Sequence, residues 1–260
     1  LRISVLCPTY GRPERHEQLH RVFAHQTWPD KDLWILDDSP ERSPFFEQLR
    51  DPRVRYLHSA GRMRIGDKRN WLLACCRGDV IAHFDDDDWY AKDYLTTMLG
   101  ALQEQHLDFV KLSVWNALSE FDGSFWQADT EKLVAKHFIV SSDKPPEESR
   151  LSDADMAGLS QETYDGNLWG YGFTYVYRRS VGERFPFLGV DFGEDFEFVK
   201  RVRQAARIGH LANHADKVVH TMHAKNTAPR IFPQTRLDPG LIPEELRGAL
   251  RTQSAPFESA

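Results

Sequence analysis

Residues 78–90, GDVIAHFDDDDWY, constrain this chain more than any other stretch. Val80, Ile81, Ala82, His83 and Phe84 form a short, mostly apolar run of the kind that makes a buried central strand. The run stops at four successive carboxylates, Asp85 to Asp88. Adjacent anions repel one another, and burying them without compensation is costly. A divalent cation is the simplest compensation, and hard oxygen ligands suit Mg2+ or Mn2+. In extended backbone, residues two apart share a side, so Asp85 and Asp87 converge while Asp86 points elsewhere. The competing reading is a solvated acidic turn. A core strand running straight into the cluster argues against it, because ligands of open α/β sheets sit where the carboxyl ends of strands emerge.

The chain before this stretch supplies strands to pair with it. Arg2–Cys7, Leu33–Leu36 and Val54–Leu57 read as strands. Between them lie a helix beginning at Pro13 and ending near His25, and a short polar helix near Ser43–Leu49. Residues 61–77 start basic and become a helix. Strands alternating with helices predict right-handed crossovers and a mostly parallel sheet. Beyond Tyr90 the pattern predicts a helix near Asp93–Gln105, a strand at Phe109–Val114 and a hairpin turn at Asp122-Gly123. A long polar surface loop is expected at 141–162, then a strand at Phe173–Arg178 after the aromatic LWGYG. Gly193-Glu194-Asp195 opens a helix to about Ile208, and Lys217–His220 reads as a late strand. From about Leu237 the tail is expected to fray apart from a helical stretch at Pro243–Leu250.

Composition removes several classes. A hydrophobic content of 41% in 260 residues is enough for a core, while a net charge of −6 without an extended basic block gives nucleic-acid binding no support. Cys7, Cys75 and Cys76 have neither disulfide-framework nor zinc-ligand spacing and read as reduced. No apolar run approaches the ~20 residues of a membrane-spanning helix. The chain begins at Leu1, so its start says little about location. Neither a G-x-S-x-G element nor a P-loop lysine motif is present, which disfavours a serine hydrolase or a P-loop kinase.

Five motifs in order carry a resemblance: Val5-Leu6-Cys7-Pro8-Thr9-Tyr10, Leu36-Asp37-Asp38-Ser39, Lys68-Arg69-Asn70, Phe84-Asp85-Asp86-Asp87-Asp88 and Glu194-Asp195. With them, residues 2–230 resemble the family 2 glycosyltransferases of the GT-A fold. The resemblance implies an α/β, Rossmann-like nucleotide-binding fold with a mostly parallel central sheet flanked by helices. A single domain is expected at 1–235, with a nucleotide-sugar-binding half (1–115) and an acceptor-binding half (116–235), followed by a tail at 236–260. The implied reaction is inverting transfer from a nucleotide diphospho-sugar, a UDP-sugar foremost, to a hydroxyl acceptor, with Mn2+ or Mg2+ as cofactor.

Residue by residue, the resemblance assigns the donor to Pro8, Thr9, Tyr10, Arg12, Asp38, Lys68, Arg69, Asp85 and Asp86. It assigns the metal to Asp85, Asp87 and His223, with His220 competing for the histidine role. Asp195 would be the general base. Trp169, Gly170, Tyr171 and Glu194 would face the acceptor, and Asn226 and Thr227 would lie in the loop covering the diphosphate. One departure is that Asp38 is followed by Ser-Pro, where Gly-Ser is commoner in the family. Expected partners are a nucleotide-sugar and a carbohydrate or other hydroxyl acceptor, in the cytoplasm or at the inner face of a membrane. Two alternatives stand beside this reading: a haloacid-dehalogenase-type phosphohydrolase and a catalytically silent nucleotide-sugar-binding module. The first also uses Asp-x-Asp, but usually on the first strand and with Thr or Val where this chain has Trp89.

Overall fold

The structure, a computed structural model, describes residues 1–132, 136–141, 144–226 and 235–247. Seven consecutive buried residues make β1 (Ile3–Thr9), as expected of a strand covered on both faces. Next come α1 (His16–His25), β2 (Lys31–Asp37), α2 (Pro44–Gln48), β3 (Val54–His58), α3 (Ile65–Cys75) and β4 (Val80–His83). This is the predicted alternation. The two-residue β5 (Trp89–Tyr90) precedes α4 (Tyr94–Glu104), β6 (Phe109–Leu112), β7 (Val114–Ser119), β8 (Phe125–Asp129), β9 (Lys136–Ser141) and β10 (Lys144–Arg150). The remainder is α5 (Asp153–Ala157), α6 (Gln161–Trp169), β11 (Val176–Arg178), α7 (Arg179–Arg184), α8 (Glu194–Val202), β12 (Ile208–Leu211), β13 (Val218–Met222) and β14 (Thr235–Leu237).

The main sheet runs β12-β6-β11-β4-β1-β2-β3, and all its pairings are parallel except those of β11. Ile3, Val5 and Cys7 point to one face, where Leu19 and Phe23 of α1 and Leu95, Met98 and Leu102 of α4 cover them. Leu6 joins Ile81, Phe109 and Tyr177 on the other face, under Leu72 and Leu73 of α3 and Phe198, Val199 and Val202 of α8. Burying each such side chain contributes about 1.5–3 kcal/mol before chain entropy is counted. Strand order reverses between β1 and β4, and such a reversal opens a crevice at the carboxyl ends of the strands. Pairing of β1 with β4 stops at Leu6–His83, while β1 and β2 stay paired to Thr9–Asp37. Pro8, which has no N–H to donate, lies beyond the point where β4 lets go.

A second sheet, β14-β8-β7-β13-β5, flanks the crevice. The predicted strand at 109–114 in fact divides at Ser113, whose N–H donates to Leu211 O (3.0 Å) and whose carbonyl accepts from Thr130 N (2.8 Å). That residue hands the chain from the first sheet to the second. The Asp122-Gly123 turn joins β7 to β8 as predicted, with Gly123 at φ +69°.

Four further expectations are corrected. The loop predicted at 141–162 contains β10, α5 and the start of α6, and only residues 142–143 of it lie outside the described residues. Its polar residues are helix caps: Ser152 and Asp155 form a capping box, and Ser160 caps α6 through Thr163 N. The strand predicted from Phe173 begins only at Val176, after a 3-10 turn at Gly172–Thr174. The helix opening at Glu194 stops at Val202, because pairing with β6 claims Ile208–Leu211 as a strand. Finally, the tail does not fray at Leu237: β14 pairs with β8, and Ile242 and Leu246 are buried against Leu118, Phe125 and Val219. Among the described residues no helix is long and apolar enough to cross a membrane.

Candidate active site

The acidic cluster closes by a turn at Asp86-Asp87 rather than by extended alternation. The turn brings carboxylate oxygens of Asp85, Asp87 and Asp88 within 4.8 Å of one another. Asp86 faces away from them. It accepts from Thr9 Oγ1, at the end of β1, and pairs with Arg12 Nη2 (2.7 Å). Arg12 Nη1 also bonds Asp87, so this guanidinium is the cluster's built-in counter-ion. His223 Nε2 lies 2.8 Å from Asp87 Oδ2, and its Nδ1 accepts from Lys225 N (3.0 Å). That bond occupies the Nδ1 lone pair and leaves Nε2 as the nitrogen that faces the carboxylates. His220 Nδ1 lies 2.9 Å from Asp88 Oδ1 instead, and its ring stacks on Phe173 at 4.7 Å. Of the two competing histidines, His223 is the one beside Asp87. Asn226 Oδ1 accepts from His223 N (2.5 Å) and so braces this arm, while Thr227 lies outside the described residues.

Protonation reports the imbalance of charge. Burial, and then the neighbouring Asp88, pushes Asp85 up to about 7. Burial likewise pushes Asp86 up to about 6, against the pull of Arg12. Asp87 resists the same burial because Arg12 and His223 hold it below the usual carboxylate range. His220, despite burial, is raised to about 9 by Asp88. One arginine and two histidines do not neutralise four carboxylates, three of them buried and Asp85 half-buried. Three converging carboxylates with an imidazole alongside are a hard, oxygen-rich donor set, which fits Mn2+ or Mg2+.

The donor-side residues gather around the end of β1. Lys68 Nζ donates to Thr9 O (3.0 Å) and Asp38 Oδ1 (2.7 Å). Asp38 Oδ2 accepts from Arg62 Nη1 (2.7 Å) and Met63 N (2.6 Å). Burial works against the Asp38 anion, but Lys68 and Met63 N keep its carboxyl low. Tyr10 is exposed, with the Arg62 guanidinium 3.9 Å above its ring. Arg62 and Met63 are additions to the expected set; their only signal in sequence is the basic start of 61–77.

Arg69 and Glu194 are brought to each other. Arg69 Nε lies 3.2 Å from Glu194 Oε1, and Nη1 donates to His83 Nδ1 (2.7 Å), whose Nε2 reaches Tyr177 Oη (3.0 Å). Both side chains of the pair are buried. Glu194→Ala strands the guanidinium without its carboxylate and is expected to cost about 3–5 kcal/mol in urea unfolding. Glu194→Gln, which keeps an acceptor for Arg69, should cost less.

Asp195 is the second residue of α8, after the N-cap Gly193 (φ +75°) and Glu194. Its Oδ2 accepts from Gly172 N (2.9 Å) and its Oδ1 from Phe196 N (2.7 Å). Free amides at a helix start favour an ionised carboxylate. Trp169 ends α6: its carbonyl accepts from Tyr175 Oη (2.5 Å), and its ring meets His210 edge-on at 5.6 Å. Tyr171 takes a left-handed conformation (φ +71°) and rests its ring 4.6 Å from that of Trp115. Gly170 caps α6 and gives its carbonyl to Lys111 Nζ (2.8 Å). Lys111 is a residue the sequence hid, a lysine inside the apolar run FVKL.

A sheet in this order, with an acidic cluster at its switch point, has the architecture of the GT-A glycosyltransferases. The chain belongs to glycosyl transferase family 2, whose sequence profile matches residues 4–162. Over 215 residues it is 24% identical to the glycosyltransferase EpsH of Bacillus subtilis (strain 168), covering 79% of this chain and 56% of EpsH. Over 129 residues it is 26% identical to glycosyltransferase GlyG of Streptococcus pneumoniae serotype 4 (strain ATCC BAA-334 / TIGR4), covering 48% and 42%. In fold it is similar to S. aureus TarS 1-349, with a TM-score of 0.62 and 19% identity over 85% of this chain and 60% of that one. The mannosyltransferase PcManGT from Pyrobaculum calidifontis, in complex with GDP-Man and Mn2+, gives a TM-score of 0.56 and 16% identity over 85% and 56%. The chain spans about half the length of the curated relatives it matches. Membership of this family removes the phosphohydrolase alternative.

Proposed function

We propose that this chain transfers a sugar from a nucleotide diphospho-sugar to a hydroxyl acceptor by single displacement with inversion, with Mn2+ or Mg2+ bound. The observation that carries the reading is the meeting of Asp87 and His223 at 2.8 Å, beside Asp85 and Asp88, at the switch point of the sheet. A UDP-sugar is the favoured donor, because TarS 1-349 is known in complex with UDP-GlcNAc and with UDP. The Mn2+ complex of PcManGT supports the cofactor.

Asp85, Asp87 and His223 would hold the metal, with Asp88 alongside. When bound, the ion supplies positive charge against the departing diphosphate. Thr9 and Tyr10 line the nucleotide side, with Asp38 beneath them, its carboxylate tied to Lys68, Arg62 and Met63 N. Arg12 and Lys68 add fixed cations near the diphosphate, and preorganised charge of this kind is commonly the largest catalytic effect. Asp195 takes the proton from the acceptor hydroxyl as the new bond forms. One base suffices, since a single displacement needs no enzyme nucleophile. Trp169, Gly170 and Tyr171 form the acceptor wall, while Arg69 and Glu194 brace it from below. Residues 1–115 serve mainly the donor and 116–235 mainly the acceptor, with His223 and Arg69 crossing that division.

Thermal denaturation with a panel of nucleotide sugars, with and without Mn2+, tests the reading. A ligand that binds only the folded state adds about 2.7 kcal/mol at a hundred times its Kd. The melting temperature is expected to rise with a UDP-sugar in the presence of Mn2+ and to stay put with Mn2+-free sugar. No rise with any nucleotide diphospho-sugar overturns the reading, and UDP release from the stabilising one separates an enzyme from a silent module.

A further inference from the structure

Lys111 sits in the middle of β6 with its side chain wholly buried. Taking an ammonium out of water is costly unless its donors are satisfied. Among the described residues no carboxylate forms an ion pair with it. Nζ donates instead to two backbone carbonyls, Leu168 O (2.5 Å) and Gly170 O (2.8 Å). It also lies 5.5 Å from the ring centre of Trp115 and 5.4 Å from that of Tyr171, within range of a cation–π attraction. Those carbonyls end α6 and begin the turn that leads, through Tyr171, to Gly172. Gly172 is the residue whose N–H holds Asp195 Oδ2. A Cβ on Gly172 would stand 3.0 Å from Asp195 Cβ, so the turn is pressed against this carboxylate.

Resting on the reading of Asp195 as the base, we propose that Lys111 is a positioning residue: it ties the 168–172 turn to β6, so that Gly172 N–H meets Asp195, and its charge favours the ionised base. Burial lowers the Lys111 ammonium to about 7, and Asp195 is the charged group that pulls it back up. Other groups around the pair are accounted for. His210, in register with Lys111 on β12, is engaged with Glu131 Oε1 (3.0 Å). Glu194, beside Asp195 in sequence, is engaged with Arg69, a second cation that attracts Asp195, and Tyr175 Oη is engaged with Trp169 O.

Lys111→Met keeps length and removes both the donors and the charge. With UDP release from the stabilising UDP-sugar as the assay, kcat is expected to fall about 10–100-fold, the scale of a misplaced catalytic group. KM for the donor should not move. The acid limb of the pH–rate profile should shift to higher pH, because an anion deprived of a nearby cation binds its proton more tightly. Lys111→Arg, which keeps the charge, should leave that limb in place. A second measurement covers the case in which Lys111→Met does not fold: titration of 13C-labelled Lys111 by NMR in the wild-type chain and in Asp195→Asn. The ammonium pKa should drop in the variant. An unmoved acid limb in Lys111→Met, or the same Lys111 titration in both chains, overturns the proposal. If Asp195→Asn turns over normally, the base reading fails and this proposal with it; if that variant is dead while Lys111→Met behaves as wild type, only the role of Lys111 fails.

Discussion

Asp87→Ala is expected to abolish sugar transfer while leaving the fold intact. Asp87 is where Arg12, His223 and the rest of the acidic cluster meet. Its removal leaves Asp85 and Asp88 as the converging carboxylates and deprives His223 of its acceptor. Losing one such stabilising group at a reacting charge typically costs about 10²–10³ in kcat, and the loss of metal affinity comes on top. Stability should fall but the fold should survive: Asp87 is the buried partner of Arg12 and His223, and Asp86 remains to pair with Arg12. The measurements are UDP release, Mn2+ titration by calorimetry and the urea midpoint. Excess chelator should reproduce the loss in the wild-type chain, and added Mn2+ or Mg2+ should reverse it. Full activity under chelation would sink the metal reading.

Asp195→Asn should lower kcat by about 10²–10⁴, the usual worth of proton-transfer assistance, with nucleotide affinity unchanged within a few-fold. The variant retains size and a carbonyl oxygen for Gly172 N, so what disappears is basicity. Two backbone amides, Gly172 N–H and Phe196 N–H, hold the Asp195 carboxylate in place at the start of α8. An ionised carboxylate is a weak base for an alcohol, yet it needs to accept the proton only as the bond to the anomeric carbon forms. Glu194 is the natural control, being buried against Arg69 rather than aimed at the crevice. A near wild-type rate in Asp195→Asn together with a dead, folded Glu194→Gln would reverse the two roles.

The sequence by itself determined much of what depends on near neighbours, though it missed the caps at Ser152 and Ser160 and the turn at Asp86-Asp87. The apolar runs of β1, β2 and β4, each flanked by turn residues and helical spacing, were enough for the strand–helix alternation and the parallel core. So was the position of Asp85–Asp88 at a strand end and of Asp195 at a helix start, because both follow from where a periodicity stops. Tertiary structure decided which distant groups meet. Arg12 and Asp87 are 75 residues apart, Arg69 and Glu194 are 125 apart, and His223 reaches Asp87 across 136. Nothing in either member of such a pair names the other. The partner follows from which strand lies beside which, and the β1/β4 reversal is a property of the whole sheet. The same holds where a local reading failed. Ser113 breaks an apolar run because Leu211 and Thr130 bind its backbone from two sheets, and Ile208–Leu211 leaves the helical pattern because β6 offers an open edge. Lys111 is the extreme case: its local sequence describes a strand, and only the fold shows two backbone carbonyls at the end of its side chain. Periodicity reports how a segment folds on itself; the burial of charge is balanced by whatever the topology brings near.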